Sequence, residues 1–331
     1  MKKLLFCLVL ICCMFAVFAQ ESLPFTKGVN MRYFFESWQA GCLSELNKYD
    51  ETDFAMLKSM GVEIIRLPIH FANLMEPANT GKVYDIVFEK LDQVCDWAEK
   101  YQIYLIIDDH SFNSHEEDRN PPKAETYKKH LEAVWPQIAE RYKDRNEYII
   151  YEILNEPKGV GDISAKWYKI QQEMIDVIRN YDTKHTIIVT AANWSHIANL
   201  VKMKPYKDPN LIYTFHSYEP EIFCFQDGPG VEAMDIKNVP FPYDKSRHSE
   251  IKYSGKNETA KWEFQGKYQQ EGNAKWVNQN IKKTADWGKK NKVRLLGGEM
   301  GANYWINPKD RLAWINAAVD AYKANNIPYC V

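Results

Sequence analysis

Two glutamates each close a short apolar run: Glu156 in Tyr148-Ile-Ile-Tyr-Glu-Ile-Leu-Asn-Glu-Pro157 and Glu299 in Arg294-Leu-Leu-Gly-Gly-Glu-Met-Gly301. A carboxylate at the end of a segment that otherwise reads as buried costs stability unless something uses it. Two of them, in separate runs, point to one cleft holding a pair of acids. One carboxyl can then protonate a leaving oxygen while the other attacks or activates water, the division of labour that cuts a bond between sugars.

Strand-like runs fall at 25–30, 63–69, 104–110, 148–156, 186–192, 211–218 and 294–300, with helical stretches near 50–60, 83–101, 123–143, 165–181, 273–290 and 308–325. Leu131, Val134, Trp135, Ile138 and Tyr142 make one apolar stripe, and Trp167, Ile170, Met174, Val177 and Tyr181 another. Asp50 reads as a helix cap and Gly61 as a stop. Alternating β and α segments with β-branched strands predict a parallel sheet, and their spacing predicts an α/β protein of the (β/α)8 barrel type. A doubly wound sheet is the alternative, but no glycine-rich phosphate fingerprint follows the first strand. Ile327-Pro-Tyr-Cys-Val331 reads as the start of an eighth strand, so the expectation is a barrel truncated in strand eight, with unpaired edges on strands one and seven.

Side chains alternate along a strand. That parity groups Glu156 with Leu154 and Glu152, Glu299 with Gly297 and Leu295, His216 with Tyr218, Asp108 with His110, and Arg66 with Pro68 and His70. The polar members lie toward the C-terminal strand ends, where barrel sites sit. Residues 219–272, rich in proline and charge, break the rhythm; leaving strand six beside His216, they are placed over the cleft. Trp194 follows strand five and reads as a sugar platform or as packing. Glu36 and Trp38, beyond strand one, and Trp305, after Glu299, are further subsite candidates. Trp97, Trp135, Trp167 and Trp287 lie on helices and read as packing. Asp108-Asp109 reads equally as a cap or a solvated loop, and His70, His115, His185, His196 and His248 as ordinary histidines.

The chain has 331 residues and a formal net charge of −2, which leaves no basic stripe for nucleic acid. Aromatics reach 14%, an excess that suits stacking on the flat apolar faces of sugars. Residues 1–19 read as a secretory signal peptide: Lys2-Lys3, an apolar run from Leu4 to Phe18, and Val17-Phe18-Ala19 before Gln20. The expectation is a secreted monomer, with residues 20–331 as one catalytic domain and no membrane association after cleavage. Cys42, Cys95, Cys224 and Cys330 are too scattered for a metal pattern or a disulfide scaffold, and Cys95 reads as a buried thiol.

With these residues in place the chain resembles glycoside hydrolase family 5, the cellulase A family, of the 4/7 barrel clan. The resemblance runs from about Phe25 to Val331. It is most specific at Ile153-Leu-Asn-Glu-Pro157, Tyr213-Thr-Phe-His-Ser-Tyr-Glu-Pro220 and Gly297-Gly-Glu-Met-Gly301. Gly28-Val-Asn30, Ile65-Arg-Leu-Pro68 and Ile106-Ile-Asp-Asp-His-Ser111 support it. It implies a retaining endo-β-1,4-glycanase, foremost an endoglucanase, with mannanase or xyloglucanase action as the near alternative and β-1,4-linked polysaccharide as the partner. It implies no cofactor and no metal. Glu156 would be the acid and then the base, kept protonated by burial and by Glu299; Glu299 would be the nucleophile, kept ionised by Arg66. Asn155 would bond the sugar 2-OH, Tyr218 would orient Glu299, and His110, His216 and Asn30 would support sugar or carboxylates. The family pattern has Phe where Met300 stands, and an aromatic ending strand eight, beyond Val331. Two rivals from other classes are a carbohydrate-binding pseudoenzyme or fragment, and a metal-dependent barrel hydrolase built on Asp108, His110 and His216.

Overall fold

The computed structural model describes residues 22–114, 117, 119–158, 163–227, 235–253 and 258–331. The segment read as a signal peptide, and His115, lie outside them. Eight parallel strands close a barrel: β1 (Lys27–Asn30), β2 (Ile64–Ile69), β3 (Tyr104–Asp109), β4 (Ile149–Glu152), β5 (Thr186–Thr190), β6 (Leu211–Ser217), β7 (Arg294–Met300) and β8 (Tyr329–Cys330). The main helices are α1 (Glu51–Ser59), α2 (Asp85–Tyr101), α3 (Ala124–Tyr142), α4 (Ile163–Arg179), α5 (Ile197–Leu200), α6 (Ala274–Asn291) and α7 (Pro308–Ala324).

Local chemistry explains the helix ends. The Asp50 carboxylate accepts the Thr52 N–H at 2.8 Å, and Asp53 returns the favour to the Asp50 N–H, so α1 starts on a capping box. The α3 stripe is buried as read. The α4 stripe is not quite the one read. Its buried side runs through Trp167, Ile170, Met174 and Ile178, while Val177 is half-buried and Tyr181, past the helix end, is exposed. A 3.6-residue period drifts off a fixed 3–4 count within three turns, which is why the reading slipped at the end. Helices are pinned to strands by polar bonds as well as by packing. Trp135 Nε1 donates to the Ile153 carbonyl at 3.1 Å, and Trp167 Nε1 to that of Thr190 at 2.9 Å.

The eighth strand corrects the expectation of open edges. Two residues suffice to close the barrel. Tyr329 pairs with Lys27 of β1 and Gly297 of β7, and Cys330 with Gly28. The flanking amides extend the ladder: Gly297 N–H donates to the Pro328 carbonyl at 2.9 Å, Val331 N–H to Gly28 at 3.1 Å, and Asn30 N–H to Val331 at 3.0 Å. The edges read as unpaired therefore have partners.

Inside the barrel the side chains stack in layers. The floor is apolar: Ile64, Ile106, Ile150, Ile188, Ile212 and Leu296, with the Cys330 thiol, plugged from below by Phe25. One step toward the C-terminal ends, the same inward positions carry Arg66, Asp108, Glu152, Thr190 and Thr214, all buried. The mouth is therefore built on a polar layer over a dry floor. The described part of residues 219–272 adds Phe223, Phe241, Phe264 and Tyr268 to the apolar cluster that packs the helices on the barrel. That part is anchored to the loop after β7 and to the first turn of α7. Arg247 bonds Asp310 of α7 at 2.8 Å, and the Asn303 N–H, behind β7, donates to the Cys224 carbonyl at 2.9 Å.

Candidate active site

Arg66 organises the mouth. It is fully buried and forks onto Glu152, with Nε to Oε2 at 2.7 Å and Nη2 to Oε1 at 2.9 Å. Nη2 also lies 3.0 Å from Asp108 and donates to Asn155 Oδ1 at 2.7 Å; Nη1 donates to Glu299 Oε1 at 2.7 Å and to Asn30 Oδ1 at 3.1 Å. One guanidinium thus ties the ends of five strands. Asp108-Asp109 is neither a cap nor a solvated loop. Both are buried: Asp108 turns inward to Arg66, and Asp109 turns outward to accept from His130 of α3 at 2.9 Å. Alternation along β3 makes one aspartate part of the site and the other part of the frame.

A single cation cannot balance three carboxylates in a dry site. Burial pushes the Asp108 carboxyl up to about 8 against the pull of Arg66, and it raises Glu152 as well. Glu299 goes the other way. Burial would raise it too, but His216, Arg66 and the Tyr218 hydroxyl together hold it well below the usual carboxylate range. Tyr218 Oη donates to Glu299 Oε2 at 2.6 Å. The negative charge is thereby concentrated on the carboxylate at the mouth.

Strict alternation does not deliver Glu299 to that place. Leu295 and Gly297 face the helices, where a Cβ on Gly297 would stand 2.4 Å from the Tyr322 ring. The β7–β6 register shifts between Gly297 and Glu299, so Gly298 is the extra residue of a bulge. The bulge turns Glu299 inward, and the grouping of Glu299 with Leu295 and Gly297 is corrected accordingly. Gly298 has to be small: a Cβ there would lie 2.5 Å from Thr214 Oγ1 and 3.3 Å from His216 Nε2.

Glu156 stands just past β4, and His216 Nδ1 donates to its Oε1 at 2.5 Å. The same nitrogen is 3.7 Å from Glu299 Oε2. Donor atoms of Glu156, His216 and Glu299 all lie within 4.8 Å of one another. Burial works against a charge on His216, but Glu299 and Glu156 outweigh it and raise the imidazole. The metal-hydrolase set of Asp108, His110 and His216 does not converge in this way. His110 spends Nδ1 on Asp108 at 2.7 Å and Nε2 on Asn113 at 3.0 Å.

Asn155 has its orientation dictated. Arg66 can only donate, so Asn155 Oδ1 must face it, and the amide nitrogen is left without a partner among the described residues. Asn30 braces Arg66 and donates to the Gly298 carbonyl at 3.1 Å. Glu36 is buried and bonds Arg32 and the Tyr33 amide, so it braces its own loop. Trp38 is exposed and meets His70 edge-on, ring centroids 4.8 Å apart. His70, read as ordinary, is buried and stacks on His110 at 5.9 Å. Its parity with Arg66 was the available signal.

Trp194 stands in an unusual loop. Asn193, Trp194 and Ser195 have φ of 62°, 58° and 53°, three successive left-handed residues without a glycine. Each costs roughly 1–2 kcal/mol. The loop is clamped to the site: the Asn193 N–H donates to the Pro157 carbonyl at 2.8 Å, Ser195 Oγ to that of Asn155 at 2.7 Å, and the His216 N–H to that of Ser195 at 3.0 Å. Trp194 is thus presented, partly exposed, by backbone geometry. Trp305 is also exposed, beside Tyr304, which the sequence reading missed and which is 72% exposed.

A family model described as Cellulase (glycosyl hydrolase family 5) matches residues 26–331. Endoglucanase 3 of Fibrobacter succinogenes is 30% identical over 323 residues, covering 92% of this chain and 48% of its own length, so the chain spans about half of that relative. Endoglucanase C of Acetivibrio thermocellus is 23% identical over 302 residues, covering 88% of this chain and 85% of its own length. Thermotoga maritima Cel5A, solved in complex with cellobiose, is 26% identical with a TM-score of 0.72 over 92% of this chain and 89% of its own. Its mannotriose complex matches equally, at 26% and 0.72 over the same shares. The chain belongs to glycosyl hydrolase family 5, the cellulase family.

Proposed function

We propose that this chain is a retaining endo-β-1,4-glucanase in which Glu299 is the nucleophile and Glu156 the acid and then the base. The observation that carries the reading is the pair itself. Oxygens of Glu156 and Glu299 come within 4.8 Å of each other, as a double displacement needs, whereas an inverting pair sits about 6.5–9.5 Å apart to admit a water. The charge arrangement supports the roles. Glu299 keeps its charge and is aimed by Arg66 and Tyr218. In the first step Glu299 attacks the anomeric carbon as Glu156 gives its proton to the departing sugar oxygen. In the second, Glu156 takes a proton from the water that frees the sugar. The unpartnered Asn155 amide suits the 2-OH, and the exposed Trp38, Trp194 and Trp305 suit sugar faces.

The endoglucanase relatives favour glucan as the substrate, and the mannotriose complex of the Thermotoga maritima relative favours mannan as a second one. A non-catalytic sugar binder would have no need of the polarised carboxylate pair. We further propose secretion after cleavage before Gln20, supported by the basic and apolar N-terminus, and a monomer in solution; N-terminal sequencing of exported protein and light scattering test the two. The main test is chemical rescue. Glu156→Ala should lose most turnover on soluble β-glucan; on an aryl β-cellobioside, whose phenolate leaves without a proton, azide should speed release of the sugar from Glu299 and yield a glycosyl azide of retained configuration. Glu299→Ala with azide should give the opposite anomer. The same product from both variants would refute the assignment.

A further inference from the structure

We propose that Lys158 and Asn113 are positioning residues that lock His110 in the Nδ1–H tautomer and keep it uncharged beside the two glutamates. Lys158 follows Glu156-Pro157 and is only 1% exposed. Its backbone is held at both ends by Tyr127, whose Oη donates to the Lys158 carbonyl and accepts its N–H, each at 3.1 Å. An ammonium has donors only, so the Asn113 atom it meets at 3.1 Å must be the carbonyl Oδ1. The other end of that amide, an NH2, then faces His110 Nε2 at 3.0 Å. A donor there requires Nε2 to be bare. The ring proton is therefore on Nδ1, aimed at Asp108 Oδ2, 2.7 Å away. A proton's place on His110 is decided through the Asn113 amide, by the lysine bonded to its other end.

The lock has something to hold against. His110 is ringed by charge: Asp108 on its own strand, Arg66 from β2, Glu299 from β7, Glu36 from the loop after β1, and His70 stacked on its face. Glu299 and Glu36 pull toward an imidazolium, while burial and Arg66 oppose it, and the ring is held down at about 3. Without Lys158 the Asn113 amide is free to turn over. Its carbonyl would then accept from a protonated Nε2, and an imidazolium would find acceptors on both sides. A further cation, beyond Arg66 and His216, would arrive next to Glu299 and change the charge that aims it.

The tautomer is read by long-range proton–nitrogen spectra of labelled protein, with the His110 signals assigned from a His110→Gln control. Native His110 should show a bare Nε2, a protonated Nδ1 and no titration between about pH 5 and 8. In Lys158→Met, and in Asn113→Asp should the first variant not fold, Nε2 should gain a proton and the ring should titrate inside that window. The kinetic counterpart rests on the function proposed above: the pH profile of kcat/KM on soluble β-glucan should acquire an extra ionisation in the variants. The spectra decide the lock whether or not the protein hydrolyses glucan, so the two ideas fail separately. A native Nε2–H tautomer, or variants with unchanged spectra, would overturn the proposal.

Discussion

Gly298→Ala is the substitution that the bulge makes most informative. The new Cβ would stand 2.5 Å from Thr214 Oγ1, about 1 Å inside van der Waals contact, and 3.3 Å from His216 Nε2. Thr214 is β-branched, inward-facing and fully buried, so it has little room to rotate away. The alternative is for β7 to retreat and take Glu299 with it. The bonds of Glu299 to Arg66 at 2.7 Å and Tyr218 at 2.6 Å cannot both survive such a move. Overpacking of this kind costs about 1–3 kcal/mol. A misplacement of ~1 Å at a reacting group costs about a hundredfold in rate. The partner substitution is Thr214→Ala. The Thr214 hydroxyl has no hydrogen-bond partner among the described residues, so deleting it alone should be cheap. In the double variant the clash is gone, and turnover should recover at least tenfold over Gly298→Ala, on the order of half the loss on a logarithmic scale. Thermal unfolding and kcat on soluble β-glucan, measured for all four proteins of the cycle, give the coupling directly. A Gly298→Ala enzyme with native melting and native kcat would refute the reasoning, as would a double variant no better than Gly298→Ala alone.

Arg66→Met should destabilise by about 3–5 kcal/mol in urea unfolding, since it strands Glu152, Asp108 and Glu299 together, and Arg66→Lys should not restore stability because an ammonium cannot fork. Full recovery with Lys would count against the hub. Asp108 binds its proton more tightly folded than unfolded, so stability should fall as pH rises from about 4 to 8, by up to ~1.4 kcal/mol per unit; Glu299, shifted the other way, stabilises above its unfolded value and loses that contribution below about pH 4.3. Asp108→Asn should flatten that decline between about pH 4 and 8, and an unchanged slope in that variant would contradict the assignment. Arg247→Ala should leave Asp310 buried without its partner and loosen residues 235–253, detected as faster proteolytic nicking there at unchanged barrel melting. Nicking elsewhere first would mean that the segment is held by other contacts.

The parts legible in the sequence were those written locally. Glu156 and Glu299 could be found because each ends an apolar run, and the α3 stripe because its period is helical. What stayed hidden depends on partners far along the chain. Gly297-Gly298 is visible as a pair of glycines, but a bulge exists only against β6, so counting parity along β7 alone put Glu299 on the wrong face. Asp108 and Asp109 look alike until β3 is set between Arg66 and His130. His70 looked ordinary because its neighbours, Trp38 and His110, come from other loops. The two-residue β8 was read as too little strand to close a barrel. It works because Pro328, Tyr329 and Val331 extend the two-residue ladder with backbone bonds to both flanking strands.

The bonds that join Arg66 to Glu299 and Asn30 to Gly298 span 233 and 268 residues of sequence. Contacts of that separation form late, because the chain must surrender the entropy of the loop between them before the bond gives anything back. Helices and neighbouring strands can assemble earlier without either bond. Glu299 therefore acquires its aim and its charge only when the two ends of the chain meet. During refolding, hydrolytic activity should lag behind the return of helical circular dichroism, and the half-built barrel should be inert. Activity in this molecule would report the last event of folding, and the enzyme would be switched on by ring closure itself.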